Sequence, residues 1–265
     1  MLKVLIITVS LIAGIFLILM GVVFWLQDRL IFFPEKVPAA YRYPFKSNFK
    51  EVYLDTPDGN RINALHFMAK QTKGVILYFH GNAGSLRSWG YVAEELVPYG
   101  YDVFMPDYRS FGKSTGKLSP QNLYQDGQLP YEYLQQAYPE DKIVIFGRSI
   151  GTGVATKVAS ENKPKLLLLE TPFYDFTEVA KTHYPFLPAT LLLRYTFRSD
   201  KWIKNVSCLV YILHGTADEV VPFRSGKKLA GLINNPNSLV IIEGGGHNNL
   251  SSFLAYHQAL ARVLK

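Results

Sequence analysis

The sequence predicts an α/β protein: a mostly parallel central sheet with helices on both faces, preceded by one membrane-crossing helix. Three observations carry this. Short unbroken apolar runs recur at Val75–Phe79, Val103–Met105, Ile143–Phe146, Leu166–Leu169, Leu209–Leu213 and Leu239–Ile242, as strands buried on both faces do. Segments with helical spacing lie between them, near 86–97, 121–137, 152–160, 224–233 and 250–264, and strands alternating with helices build a parallel sheet. Finally, Val4–Leu26 runs for 23 residues without a charge.

In chain order, Val4–Leu26 is the first element. As a helix it is about 35 Å long, enough to cross a hydrocarbon core with some tilt. Trp25 closes it with an amphipathic ring suited to the interface. The run is too long for a signal-peptide core, and no small-x-small cleavage pattern precedes the polar residues, so residues 4–26 are expected to be an uncleaved single-pass anchor. Lys3 and the α-amine lie on one side of it, and Arg29, Lys36, Arg42 and Lys46 on the other. That bias leans towards a cytoplasmic position for the downstream domain. Residues 27–47, with Leu30–Pro34 (LIFFP) and the aromatic stretch 41–45, form a juxtamembrane connection, and residues 48–265 form the domain. Glu51–Leu54 and Ile62–Met68 flank Pro57-Asp58-Gly59-Asn60, an antiparallel hairpin pattern.

Composition narrows the function. The chain carries a net charge of +7, with basic residues dispersed rather than blocked. No nucleic-acid motif accompanies them, so nucleic acid is not an expected partner, and a basic surface beside an anionic membrane is the simpler account. The single cysteine, Cys208, excludes an intramolecular disulfide; in an apolar run it reads as an inert thiol.

The informative stretch is 142–159. The apolar strand Ile143–Phe146 leads through Gly147-Arg148-Ser149-Ile150-Gly151 into a helical pattern. Strand, sharp turn and helix with serine at the apex is the arrangement that exposes a nucleophilic hydroxyl. Glycines two before and two after the serine fit positions too crowded for side chains. The Ile150 amide then points above the serine, where the helix N-terminus adds partial positive charge. Ser149 needs a base and a carboxylate to orient that base. His247 lies in a Gly-rich loop after the last strand, free to reach across. Asp218 follows the preceding strand, and the order Ser149, Asp218, His247 is the one this architecture uses. Asp175 is the reserve acid; Glu219 would point away. His80 and His214 read as loop-fixing residues, Asp107 as fixing its own loop with Arg109, and His66, His183 and His257 as structural or surface residues. A second donor for a developing oxyanion would be the Asn82 amide, in a loop where Gly81 permits close approach.

The chain resembles the α/β-hydrolase-fold serine hydrolases, and among them the membrane-anchored α/β-hydrolase-domain proteins related to the fungal bud-emergence suppressor and to protein-depalmitoylating hydrolases. The segments carrying this are LIFFP, HGNAG (80–84), DYRSFGKSTG (107–116), GRSIG (147–151), ETPF (170–173), HGTADEVVP (214–222) and GGHNN (245–249). The resemblance implies a triad of Ser149, Asp218 and His247, an oxyanion hole of the Asn82 and Ile150 amides, and no metal or organic cofactor. Ser110 stands where such proteins commonly have glycine, which is expected to shift a loop and leave the chemistry intact. Residues 171–205 sit where the fold inserts a cap. The cap's apolar and basic mix suits a lid that packs on the domain, or one that also rests on the bilayer.

The function expected is membrane-anchored hydrolysis of a carboxylic ester or thioester, in a lipid, an acylated protein or a small ester. A serine aminopeptidase or amide hydrolase is the alternative among enzymes, since a triad does not choose the leaving group. A non-catalytic binding protein on the same fold is the alternative outside them.

Overall fold

The computed structural model describes residues 1–265. Its first element is α1 (Leu2–Ile31), a 30-residue helix whose apolar window is wholly unburied. At about 45 Å it is long enough and apolar enough to cross a membrane. The strands, in chain order, are β1 (Phe33–Pro34), β2 (Phe49–Asp55), β3 (Arg61–Phe67), β4 (Val75–Phe79), β5 (Ala83–Gly84), β6 (Asp102–Pro106), β7 (Ile143–Arg148), β8 (Leu166–Glu170), β9 (Leu209–Gly215) and β10 (Leu239–Ile242). Eight of them form one sheet in the order β10-β9-β8-β7-β4-β6-β3-β2. The β2–β3 and β3–β6 pairs are antiparallel and the rest parallel. The expected hairpin is therefore the antiparallel edge, with Phe49 opposite Phe67.

Successive side chains of a strand point to opposite faces, and β4 shows both faces covered. Val75, Leu77 and Phe79 join a core containing Leu123 and Tyr131 of α3 (Pro120–Gln135) and Val154 and Val158 of α4 (Gly151–Glu161). Ile76 and Tyr78 join another with Leu86 and Leu96 of α2 (Leu86–Leu96) and Tyr256 and Leu260 of α9 (Leu254–Val263). This is why the central strands read as unbroken apolar runs. The remaining helices are α5 (Phe176–His183), α6 (Ala189–Leu192), α7 (Ser199–Trp202) and α8 (Phe223–Ala230).

Three features depart from the periodicity. Pro130 lies inside α3. The last helical pattern breaks into a 3₁₀ turn at Leu250–Ser252 before α9 starts at Leu254. The third is a two-stranded parallel pair, β1 with β5, which places Phe33 beside Ala83 and Pro34 beside Gly84. Within the segment expected as a connection, Phe32, Val37, Tyr43 and Phe45 are buried. Phe45 packs edge-on against Phe67 and Phe49.

Between β8 and β9, residues 171–205 hold α5, α6 and α7. Phe173, Phe176 and Phe197 form an edge-to-face cluster with centroids 5.5–5.6 Å apart that covers Gly153 of α4. Cys208 is half-buried, and burial pushes its thiol up to about 11.

Candidate active site

The sheet order creates the site. From β4 the chain moves to β6 on one side and returns to β7 on the other, and ligands gather outside the strand ends at such a reversal. The loop after β4 carries Gly81 and Asn82, and the turn after β7 carries Ser149. A Cβ added to Gly81 would lie 3.8 Å from the Ser149 Cβ, so the two loops are in direct contact.

Ser149 holds a left-handed backbone conformation at φ 52°, costly for a residue with a side chain. Its amide donates to the Glu170 carbonyl (2.9 Å), and its carbonyl accepts from the Thr152 amide (2.9 Å) and hydroxyl (2.6 Å). A Cβ at Gly151 would run into the Phe79 carbonyl, and one at Gly147 would come 2.6 Å from the Gly151 oxygen. Those contacts are the physical reason for both glycines.

His247 Nε2 lies 2.9 Å from Ser149 Oγ, and its Nδ1 lies 2.9 and 3.1 Å from the two Asp218 carboxylate oxygens. A nitrogen between two carboxylate oxygens carries the proton, so Nε2 presents its lone pair to the serine hydroxyl. Asp218 is buried, and its Oδ1 accepts from the Val220 and Val221 amides at 2.9 and 2.8 Å. Burial works against its charge. Hydrogen bonds from His214 and His247, with the His247 charge and the Val221 amide, outweigh that and hold the carboxyl well below the usual carboxylate range. The loops bearing Asp218 and His247 meet at Gly215, where an added Cβ would strike the Gly245 carbonyl.

The amides of Asn82 and Ile150 donate to no protein acceptor. Both flank Ser149, on the loop beside it and on the turn itself. Asp175 instead caps α5, accepting the Glu178 amide at 2.8 Å. Glu219 is exposed, as expected from its neighbour pointing inwards. Asp107 does not meet Arg109. It faces His80 Nε2 at 3.1 Å and the Leu86 amide, while Arg109 pairs with Asp58 and Asp126, the carboxylates its longer reach brings within range. His66, His183 and His257 bond to Tyr138, the Val220 carbonyl and the Ser251 carbonyl. Ser110 accommodates the glycine-like position by adopting φ 68°, with its hydroxyl donating to the Gly116 carbonyl.

Two contributors to the site go beyond a reading of the sequence, which gives His214 only as the loop-fixing residue that its bond to the Val221 carbonyl makes it. His214 lies behind Asp218, its Nε2 3.3 Å from Oδ2 and 2.9 Å from the Val221 carbonyl. Arg148, next to the serine, pairs with Glu170 at 3.1 Å, lies 5.2 Å from the Trp89 ring centroid and reaches the His247 carbonyl at 3.5 Å. Tyr256 completes this cluster by donating to Glu170 at 2.9 Å. Opposite charges at the ends of two consecutive apolar runs were the available signal for Arg148 and Glu170.

Known proteins share this architecture. A family model described as the alpha/beta hydrolase fold matches residues 74–191. An uncharacterized protein of Mycobacterium tuberculosis is 31% identical over 247 residues, covering 90% of this chain and 87% of its own. The lysophosphatidylserine lipase ABHD12 of Danio rerio is 37% identical over 189 residues. That match covers 62% of this chain, which spans about half of the lipase (48%). Among solved structures, the Pyrococcus furiosus esterase Pf2001 superposes with a TM-score of 0.68 at 21% identity, over 88% of this chain and 100% of its own. With the parallel sheet, the strand-to-helix serine turn and a relative matched over nearly its whole length, the chain belongs to the α/β-hydrolase fold family.

Proposed function

We propose that this chain is a membrane-anchored serine hydrolase that cleaves carboxylic esters or thioesters through an acyl-enzyme. The observation that carries the reading is the continuous path Asp218–His247–Ser149, with 2.9 Å at each link, beside two amides lacking protein acceptors. Ser149 Oγ attacks the carbonyl carbon while His247 Nε2 takes its proton. The resulting oxyanion accepts from the Asn82 and Ile150 amides. Collapse breaks the bond to the alcohol or thiol, which leaves with the proton held by His247. Water then attacks the acyl-enzyme as His247 removes its proton; that proton returns to Ser149 as the acid departs. Asp218 holds the imidazole in the required tautomer and stabilises it when charged.

Ester cleavage is supported by two similar proteins, one a lysophosphatidylserine lipase and the other an esterase. Anchoring is supported by α1, 30 residues long with its apolar window unburied. The cations Arg29, Lys36, Arg42 and Lys46 after it favour a cytoplasmic domain, which protease protection in sealed vesicles tests. For the reaction, a fluorophosphonate probe is expected to label the wild type and not Ser149→Ala. A folded wild type that stays unlabelled would rule the enzyme out. A panel of oxygen- and thioesters of graded acyl length then identifies the bond and chain preferred.

A further inference from the structure

The end of the apolar helix is built into the loop beside Ser149. Asn82 Nδ2 donates to the carbonyl of Ile31, the last residue of α1. Helix C-termini leave such carbonyls without intrahelical partners. One residue on, the chain becomes β1 and pairs in parallel with β5. The Phe33 amide donates to the Asn82 carbonyl at 3.4 Å and the Glu35 amide to the Gly84 carbonyl at 2.9 Å. Glu35 also accepts from the Ser85 hydroxyl at 2.8 Å and pairs with Arg87. From the other side the Gly112 amide donates to the Glu35 carbonyl at 2.8 Å. Phe32 is 3% exposed and packs edge-on against Tyr195 and Phe111. On its far side the loop is tied by Trp89 Nε1 on the Ala83 carbonyl (2.7 Å), Tyr108 on the His80 carbonyl (2.7 Å) and the His80 ring, whose Nδ1 faces the Gly81 carbonyl at 2.7 Å.

We propose that the strand leaving the membrane helix is a positioning element for the oxyanion loop, with the Asn82 side chain and Glu35 as its clasps, so that the anchor's end helps set where the Asn82 amide points. This rests on the catalytic reading above. An oxyanion donor is effective only when held where the charge develops, and displacements of about 1 Å can cost about a hundredfold in rate. A loop carrying an amide without a protein acceptor must be held by its other groups. Here the Asn82 side chain and the Asn82 and Gly84 carbonyls go to residues 31–35, and the His80, Gly81 and Ala83 carbonyls to Tyr108, the His80 ring and Trp89. Asn82 and Glu35 are positioning residues: neither side chain needs to touch substrate.

The test uses the full chain in lipid vesicles. Asn82→Ala keeps the backbone amide and removes the clasp to Ile31. Glu35→Ala frees Ser85 and Arg87, and Glu35→Gln keeps an acceptor for Ser85. For both alanine variants, kcat and the fluorophosphonate rate constant are expected to fall together by about tenfold. KM and the melting temperature should hold, and deuterium exchange at residues 81–85 should quicken. Glu35→Gln should recover most of the rate. Unchanged exchange at 81–85 in both alanine variants would overturn the positioning role whatever the activity, as would a loss that KM and melting temperature share. A wild type that is neither active nor labelled would overturn the catalytic reading instead, with exchange still deciding whether the clasp exists.

Discussion

At the scale of single residues, Ser149 stores strain and Asp218 stores charge. Any L-residue at φ 52° is disfavoured, and glycine is not. Ser149→Gly and Ser149→Ala are both expected to lose roughly 10⁶-fold in kcat. The glycine variant should nevertheless be the more stable by about 1 kcal/mol in urea unfolding. Equal stabilities would mean that the turn is not strained. For Asp218 the folded carboxyl sits below its ordinary value, because partners outweigh burial. A depressed acid contributes stability that is complete above the unfolded value, near 4, and is lost as pH falls through the folded value. Asp218→Asn removes that contribution. The stability gap between wild type and this variant should therefore be widest above about pH 5 and narrow below about pH 4. Its kcat should fall by about 10⁴-fold, since the asparagine no longer fixes the imidazole tautomer. Unfolding curves across pH and steady-state kinetics on the same preparation check both.

At the scale of elements, the ends of β7 and β8 are joined by more than their ladder. Arg148 and Glu170 are partners in register, and the pair is largely buried, with side chains 15% and 3% exposed. Breaking such a pair from one side leaves a desolvated charge. Arg148→Met is expected to destabilise by about 3 kcal/mol, and adding Glu170→Gln in the same chain should recover more than half of it. Calorimetry on the two single variants and the double variant measures this. An additive double variant would show that the ion pair is not the cause. Arg148 also touches the His247 carbonyl and the Trp89 ring, so the single variant should lower kcat as well. Ile143–Phe146 announces its strand by composition alone. Which charges meet at the strand ends depends on register, which no local pattern encodes.

At the scale of the whole molecule, the last turn of α1 is tied to residues 189–195, in the segment expected as a cap. Gln27 is buried at 3% exposure and serves the cap at both ends: its Nε2 donates to the Leu192 carbonyl at 2.6 Å and its Oε1 accepts the Arg194 amide at 2.8 Å. Asp28 accepts from Arg194 and from the Tyr195 hydroxyl, both at 2.7 Å. Phe186 and Leu191 of the cap remain 75% and 83% exposed, and α6, which carries Leu191, packs against α1. Gln27→Ala is expected to accelerate deuterium exchange at residues 189–195 several-fold while leaving β7 and α4 unchanged, because the lost bonds are local to the cap. Exchange unchanged in both regions would mean that the cap holds itself.

What the amino-acid order determined by itself was local. The apolar runs set the strands, glycines around Ser149 set the turn, and the uncharged run at 4–26 set the first helix. Chain order and the family resemblance together pointed to Ser149, Asp218 and His247, and His247 lies within hydrogen-bond distance of the other two. Only the tertiary structure decided that Asp175 would cap a helix, that Arg109 would choose Asp58 and Asp126 over Asp107, and that LIFFP would pair with the loop carrying Asn82. The reason is physical. Hydrophobic period and steric crowding act between neighbours along the chain. A two-residue strand has no period to read, and a side chain's partner is whichever group folding brings within about 3 Å.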